Sequence, residues 1–468
     1  MGARGWRGAR GSAPLIVALF ALGCGADPTR RDLDHVLLIT IDSLRADHLG
    51  SYGHPAKPTP VMDALAAGGT RFEHALTTCS VTGPAHASIF TGLYPPRHAM
   101  LGNAWRLDSA HRTVAERFDH AGYETAAFVS SAVVSSVSGL DRGFTTYDQA
   151  FLKDVTFERT LQRRGGATVD AMLAWLAEHA GSKTFVWLHL FDPHAPYDPP
   201  KDLWPKRRRR PATDSASLEA IYLKRRSVNA KTHKAIRDLY TGEVRFADRQ
   251  IGRVIDFLES AGLRKDTLIV LTSDHGEELG EHWDFYEHNR SLFQGVLRVP
   301  LIVVDPRVEG GRRVEATVQL VDIAPTLLDL TGQFVDEQVD GRSLAKLVRG
   351  EPAPPPRDFA YAQSPDNPDY FHRGNSYAYL RGGSKVLMYG RGDPEVFDVS
   401  EDPGEQHNLH RVDDVEQAEL LARAVTLREY LVGQSDGAHR HRVPLDGQRQ
   451  RLQALGYAVP AAVENGTP

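Results

Sequence analysis

The chain has 468 residues, 41% hydrophobic and 25% charged, with a formal net charge of −5. That is the balance of an ordinary globular protein, long enough for one large domain and a smaller one. Nothing in the charge favours nucleic acid as a partner.

Arg4, Arg7 and Arg10 precede a short apolar run, residues 13–24, that ends in Leu22-Gly23-Cys24. A basic start, a short apolar core and small residues at its end read as a secretory signal over residues 1–24, too short to span a bilayer comfortably. The run resembles a bacterial lipobox, so the expected location is extracytoplasmic. The protein is then either a lipoprotein tethered through a lipidated Cys24 or a secreted protein. With Cys24 lipidated or removed, Cys79 has no intrachain partner, and a disulfide framework is excluded. No later segment looks transmembrane.

From residue 33 onward, short apolar runs alternate with amphipathic stretches. His35–Ile41 is a β-branched run that ends in Asp42, and Pro60–Ala67 reads as a helix. Thr77–Pro95 places the hydroxyl of Thr82 beside Gly83 and Pro84, just before a helix start. His111–Ala121 predicts a helix, Thr125–Ser130 a strand and Thr168–His179 a helix. The strand Thr184–Leu190 runs into Asp192, Pro193 and His194. Lys201–Ala230 is a polar, basic insertion, read as a loop or lid with some helix, and its run Arg207–Arg210 as solvated loop. Arg237–Ser260 predicts a helix, Thr267–Thr272 a strand ending at Asp274-His275, Val299–Val304 a strand and Val321–Leu330 a helix. This alternation predicts an α/β fold, a mainly parallel sheet covered on both faces, with its site beyond the carboxyl ends of the strands.

The proline-rich stretch Gly350–Arg357 should end the main domain, residues 33–350. Beyond it, Tyr377–Leu380, Lys385–Tyr389 and Glu395–Val399 read as short strands and Val415–Leu431 as a helix. They predict a small α+β subdomain over residues 357–435, followed by an extended tail, 436–468. No internal repeat is present.

Asp42 and Asp274-His275 each follow an apolar strand, where a cation can neutralise them. One aspartate after a strand is often only a helix cap. Both segments, bracketing a Thr-Gly-Pro turn, point instead to a divalent ion (calcium, zinc, magnesium or manganese) held by two carboxylates, an imidazole and the Thr82 hydroxyl.

The segment TTCSVTGPAHASIFTGLYP resembles the nucleophile segment of the sulfatase family, within the alkaline phosphatase superfamily. The usual signature there is Cys or Ser-x-Pro-x-Arg followed by Ala-Ser-Leu-Leu-Thr-Gly. Aligning Ala87–Gly92 with that tail puts Pro84 on the family proline, Thr82 on the nucleophile and His86 on the arginine. VLLITIDSLRADHLGSYG and LTSDHGEELGEH are similar to the family's two metal-binding segments, and the likeness runs from about Asp34 to Asn408. It implies an alkaline-phosphatase-like fold with a small C-terminal subdomain. Asp42, Asp274 and His275 become metal ligands, with Thr82 coordinating through its oxygen and Ser43 standing where a second aspartate is usual.

The same resemblance makes His194 the histidine that contacts the sulfate or the leaving group, and places His288 where many members have a lysine. The family's cysteine or serine is converted to formylglycine, which a threonine cannot be. The implied activity is metal-dependent hydrolysis of sulfate or phosphate esters by Thr82, with His194, His86 and His288 assisting. Small-molecule, glycan or lipid esters are the expected substrates. Two other readings are a phosphodiesterase or phosphotransferase, with Asp192, His194 and His288 at a second metal, and a non-catalytic binder of sulfated glycans. Arg45 is expected to support the nucleophile loop or bind the substrate anion, or else to form a structural salt bridge. His282 is a loop residue or a support behind a metal ligand. His189 is expected to be packed inside its strand, Cys79 packed near the site and Lys385 on a strand surface.

Overall fold

The computed structural model describes residues 1–2, 33–150, 162–204, 210–336, 338–353, 357–365 and 374–434. The signal segment with Cys24, Arg207 to Arg209 and the tail lie outside the described residues. From Leu33 onward the described residues belong to one compact unit.

Among the described residues ten strands precede the C-terminal part: β1 (His35–Ile41), β2 (Thr70–Leu76), β3 (Glu124–Val129), β4 (Thr146–Asp148), β5 (Thr184–Leu190), β6 (Thr267–Thr272), β7 (Glu278–Leu279), β8 (Tyr286–Glu287), β9 (Arg298–Val304) and β10 (Arg312–Gln319). Eight of them form one sheet in the order β10-β2-β9-β6-β1-β5-β3-β4. Every pairing in it is parallel except those of β9, which runs against β2 and β6. β1, β5 and β6 are buried at every position, as central strands covered on both faces must be. Alternate residues of β1 feed opposite cores. Val36 and Leu38 join one cluster, and Leu37, Ile39 and Ile41 join the other.

The second core is roofed by the helix Ala230–Ser260, whose Ile236, Leu239, Tyr240, Val244, Ile251, Val254 and Leu258 recur at helical spacing on one buried stripe. It starts earlier than its apolar pattern, at Ala230, because Asn229 caps it by accepting from the Thr232 N–H. The insertion before it holds a short helix, Ser215–Tyr222. Among the described residues no helix is long and apolar enough to cross a membrane.

β2 and β10 carry no plain apolar run, which hid them in the sequence. Arg71 and Glu73 of β2 and Arg313 of β10 pair with one another, Arg71 Nη2 at 2.6 Å and Arg313 Nε at 2.9 Å from Glu73 Oε1. Charged side chains on an edge strand also blunt edge-to-edge pairing.

The C-terminal part is an antiparallel sheet, β11 (Ala360–Gln363), β12 (Tyr377–Arg381), β13 (Ser384–Met388) and β14 (Glu395–Asp398), with the helix Val415–Gly433. Gln319 at the end of β10 stitches it on, donating to the Tyr361 carbonyl at 2.9 Å and accepting the Tyr361 N–H at 3.1 Å. Lys385, expected on a strand surface, is fully buried. Its Nζ lies 2.5 Å from Glu405 Oε1 and donates to the Leu292 carbonyl. Glu405 Oε2 in turn accepts the Gln294 N–H, so the pair also fastens the loop leading to β9.

Candidate active site

The site lies beyond the carboxyl ends of β1, β5 and β6. Asp42 extends β1 by one more sheet bond, its N–H donating to the Leu190 carbonyl at 2.8 Å. Ser43 follows in the left-handed region (φ 59°), which turns the chain sharply. Its N–H donates to Asp274 Oδ1 at 3.3 Å and its hydroxyl to Asp42 Oδ1 at 3.0 Å. Ser43 therefore holds both carboxylates in place.

Asp274 Oδ1 also accepts the His275 N–H at 2.9 Å, whereas its buried Oδ2 has no hydrogen-bond partner. His275 Nδ1 lies 2.9 Å from the Gly276 carbonyl and must donate to it, so the Nε2 lone pair faces the site. That Nε2 is 3.4 Å from Asp274 Oδ2, 3.9 Å from Asp42 Oδ1 and 3.4 Å from Thr82 Oγ1. Thr82 Oγ1 is also 3.4 Å from Asp42 Oδ2. Ligand atoms of Asp42, Asp274 and His275 all lie within 4.8 Å of one another.

Burial pushes the Asp42 carboxyl up, and burial with the neighbouring Asp42 charge pushes Asp274 up to about 7. Two buried carboxylates, one with an orphaned oxygen, and an outward lone pair are what a divalent cation requires. The residues fit it.

Thr82 opens the helix Thr82–Thr91, one residue earlier than its sequence suggests, and all ten residues of that helix are buried. Pro84 sits in the first turn, where no helical N–H is lost. At Gly83 a Cβ would come within 2.7 Å of Met100 Cε, the movable end of a flexible side chain, and within 3.1 Å of Asn103 Oδ1. The Gly83 N–H donates to Asn103 Oδ1 at 2.8 Å. This fixes the amide, and its buried Nδ2 has no hydrogen-bond partner. Asn103 was missed in the sequence, where a single asparagine after Leu101-Gly102 carries no pattern.

His86 does not stand in for an arginine. Its Nδ1–H donates to the Thr82 carbonyl at 2.8 Å. Its Nε2 accepts from the Thr40 hydroxyl at 3.0 Å, and that hydroxyl accepts the Trp187 indole N–H at 2.9 Å. Burial lowers its pKa to about 4, so the ring is a neutral strut under the helix start. His189 is packed within β5, with Nδ1 accepting the Ser130 N–H at 3.3 Å and Nε2 3.6 Å from Asp42 Oδ2.

His194 and His288 do reach the site. The His194 ring lies 5.1 Å from that of His288, which stacks 4.0 Å over His275. Burial lowers His194 to about 4 and His288 to about 3, so His288 does not replace a lysine's fixed charge. Its Nδ1 is instead 3.0 Å from Glu277, a buried acid that sequence reading passed over.

Arg45 resolves to the salt bridge. It donates to Asp47 at 2.9 and 2.8 Å, to Glu281 at 2.9 Å and to the Glu277 carbonyl at 3.0 Å, joining two site loops and leaving no fork for a substrate anion. Asp192 is likewise committed, to Arg164 at 2.7 Å and to the Gly165 N–H at 2.8 Å. It is not a second-metal ligand. Among the described residues the only group spaced for a cation is Asp42, Asp274 and His275. His282 lies 3.2 Å from Glu278 and stacks on Phe293. Cys79 is buried, its thiol pushed up to about 12 by desolvation.

Residues 34–333 match the sulfatase family model, and residues 280–430 match that of the N-sulphoglucosamine sulphohydrolase C-terminal region. The chain is 25% identical to an arylsulfatase of Clostridium perfringens over 86% of its length and 95% of that protein's. It is 27% identical to a choline-sulfatase of Rhizobium meliloti over 92% of each. In fold it is similar to the phosphonate monoester hydrolase of Agrobacterium radiobacter (TM-score 0.67, 23% identity, 88% of this chain and 97% of that one). It is similar also to a protein solved in complex with its substrate D-glucosamine-2-N,6-O-disulfate (TM-score 0.72, 20% identity, 88% and 100%). With most of its length matched by the family model, and with named ester hydrolases among its relatives, this chain belongs to the sulfatase family.

Proposed function

We propose that the protein is a metal-dependent hydrolase of sulfate or phosphate esters that uses Thr82 as its nucleophile. The observation that carries this reading is the Thr82 hydroxyl, 3.4 Å from both Asp42 and His275 at the start of a buried helix. Asp42, Asp274 and His275 would hold the cation, which when bound acidifies a neighbouring hydroxyl and neutralises charge on ester oxygens.

Thr82 Oγ would attack sulfur or phosphorus in line, expel the alcohol oxygen and form a covalent Thr82 ester. Helix dipole and backbone favour negative charge at that end. Asn103, held by the Gly83 N–H at the same helix start, has two N–H donors on Nδ2 that would serve a non-bridging oxygen. His194 Nδ1 lies 2.6 Å from the Ala195 carbonyl and donates to it, so Nε2 is the atom that would pass a proton to the leaving oxygen. An anionic ester beside the ring favours its protonated form and opposes the lowering by burial. Water would then attack the sulfur or phosphorus and release Thr82. A threonine has no second hydroxyl through which to expel sulfate, as a formylglycine hydrate does, so its oxygen must leave by this second displacement.

That requirement also favours a second reading, transfer of a phosphoryl group by a phosphodiesterase or phosphotransferase. The names of the relatives, arylsulfatase and choline-sulfatase, favour sulfate. Assays of metal-loaded protein on matched aryl sulfate, phosphate monoester, phosphodiester and phosphonate decide between them. We expect turnover of at least one substrate, abolished by Thr82→Ala. Undiminished turnover in that variant would overturn the scheme, and a clear preference for diesters would replace the sulfatase reading.

On the basic and apolar segment 1–24 we also propose an extracytoplasmic location with a lipid tether at Cys24. The mass of the mature N-terminal peptide tests it. A diacylated Cys24 is expected, and an unprocessed N-terminus would contradict it.

A further inference from the structure

The loop that carries His194 is held on both sides by one charged group outside the site. Before the histidine, Asp192 Oδ1 accepts from Arg164 Nη1 at 2.7 Å, and Asp192 Oδ2 accepts the Gly165 N–H at 2.8 Å. After it, the Asp198 N–H donates to Glu243 Oε1 at 2.7 Å, and the Asp198 carbonyl accepts from Arg164 Nη2. Glu243 projects from the helix Ala230–Ser260, and both of its oxygens lie 3.0 Å from the same Arg164 Nη1.

The charges are unevenly buried. Side-chain exposure is 6% at Asp192 and 1% at Glu243, against 45% at Arg164. One guanidinium therefore stands between two desolvated carboxylates that would otherwise repel each other. Burial and the Asp192 charge push the Glu243 carboxyl up, and the Arg164 guanidinium opposes both. Arg164 itself precedes the helix Gly165–His179, which packs on β5, so the group ties the loop to two rigid elements.

We propose that Arg164 and Glu243 are positioning residues for His194, fixing both ends of its loop and so the place of its Nε2 against the leaving oxygen. This rests on the reading of His194 as the proton donor. A displacement of about 1 Å at such a donor costs on the order of 10²-fold in rate. The loss must grow with the basicity of the leaving alcohol, because good leaving groups need no proton.

The test is kcat for metal-loaded protein on a series of esters, from 4-nitrophenyl to alkyl, for the parent and for Arg164→Gln, Glu243→Gln and His194→Ala. Glu243→Gln keeps an acceptor for the Asp198 N–H while removing the charge, so the test stands even where Arg164→Gln does not fold. Each variant should steepen the dependence of kcat on leaving-group pKa in the same sense. Alkyl esters should fall roughly 10²-fold in the Gln variants, with 4-nitrophenyl turnover, KM and bound metal near parental values. If His194→Ala steepens the dependence and folded Glu243→Gln does not, the positioning role is wrong and the assignment of His194 survives. If His194→Ala leaves the dependence unchanged, the assignment itself falls, and this inference with it.

Discussion

Thr82 occupies a place where a secondary hydroxyl has unusual company: two carboxylates, an imidazole lone pair and the start of a buried helix. On the proposed scheme Thr82→Ala lowers kcat by roughly 10³-fold or more, while Thr82→Ser retains a large part of it, since the oxygen is preserved. On the same scheme Asn103→Ala removes an amide that would face the transferred group and lowers kcat on the order of 10²-fold. Steady-state kinetics on the best ester substrate checks both. The meeting of Asp42, Thr82, Asp274 and His275 was legible because each follows a strong apolar strand or opens a helix, and strand ends converge in a parallel sheet. The roles of His86 and Arg45 were not. They depend on where Thr40, Trp187, Asp47 and Glu281 point, which no spacing in the chain records.

At the scale of elements, the central strands announced themselves because full burial on both faces demands an unbroken apolar run, as in β1 and β6. β10 offers no such run, since only Val314, Val318 and Gln319 of its eight residues are buried. Lys385 is the sharper case. A lysine in the pattern of β13 reads as a surface residue, and only the tertiary fold brings Glu405 to cover it. Removing one member of a buried pair leaves an uncompensated charge. Lys385→Met should therefore cost about 3–5 kcal/mol in urea unfolding. The double variant Lys385→Met/Glu405→Gln should recover much of that loss, because the amide still accepts the Gln294 N–H without a charge. Equal stability of the single and double variants would show that the pair is not what holds β13 to the loop before β9.

For the whole molecule, the doubly covered parallel sheet followed from the alternation of strands and helices. The attachment of the C-terminal sheet rests on pairs such as Gln319 with Tyr361 and on the packing of Leu76, Leu292 and Leu297 against Ala360, Ala362 and Leu380, partners too far apart in sequence to foresee. On the proposed reading the cation is the global lever. Without it Asp274 has a folded pKa of about 7, well above its unfolded value of about 4. The metal-free folded state thus binds an extra proton between those values, and its stability falls as pH rises from about 4 to about 7. A metal-loaded state would keep both carboxylates ionised and escape that loss. At a fixed free ion concentration the gap in stability between loaded and chelated protein should therefore widen with pH across this window, reaching about 2.7 kcal/mol where that concentration equals 100 Kd. A constant gap would speak against Asp42 and Asp274 as ligands. The central claim, that Thr82 forms the covalent ester, is tested most directly by acid-quenching metal-loaded enzyme during turnover and mapping its peptides by mass spectrometry. The account predicts one added sulfuryl or phosphoryl group on Thr82, absent without substrate. An unmodified Thr82 peptide in enzyme trapped with the group on another residue would contradict it.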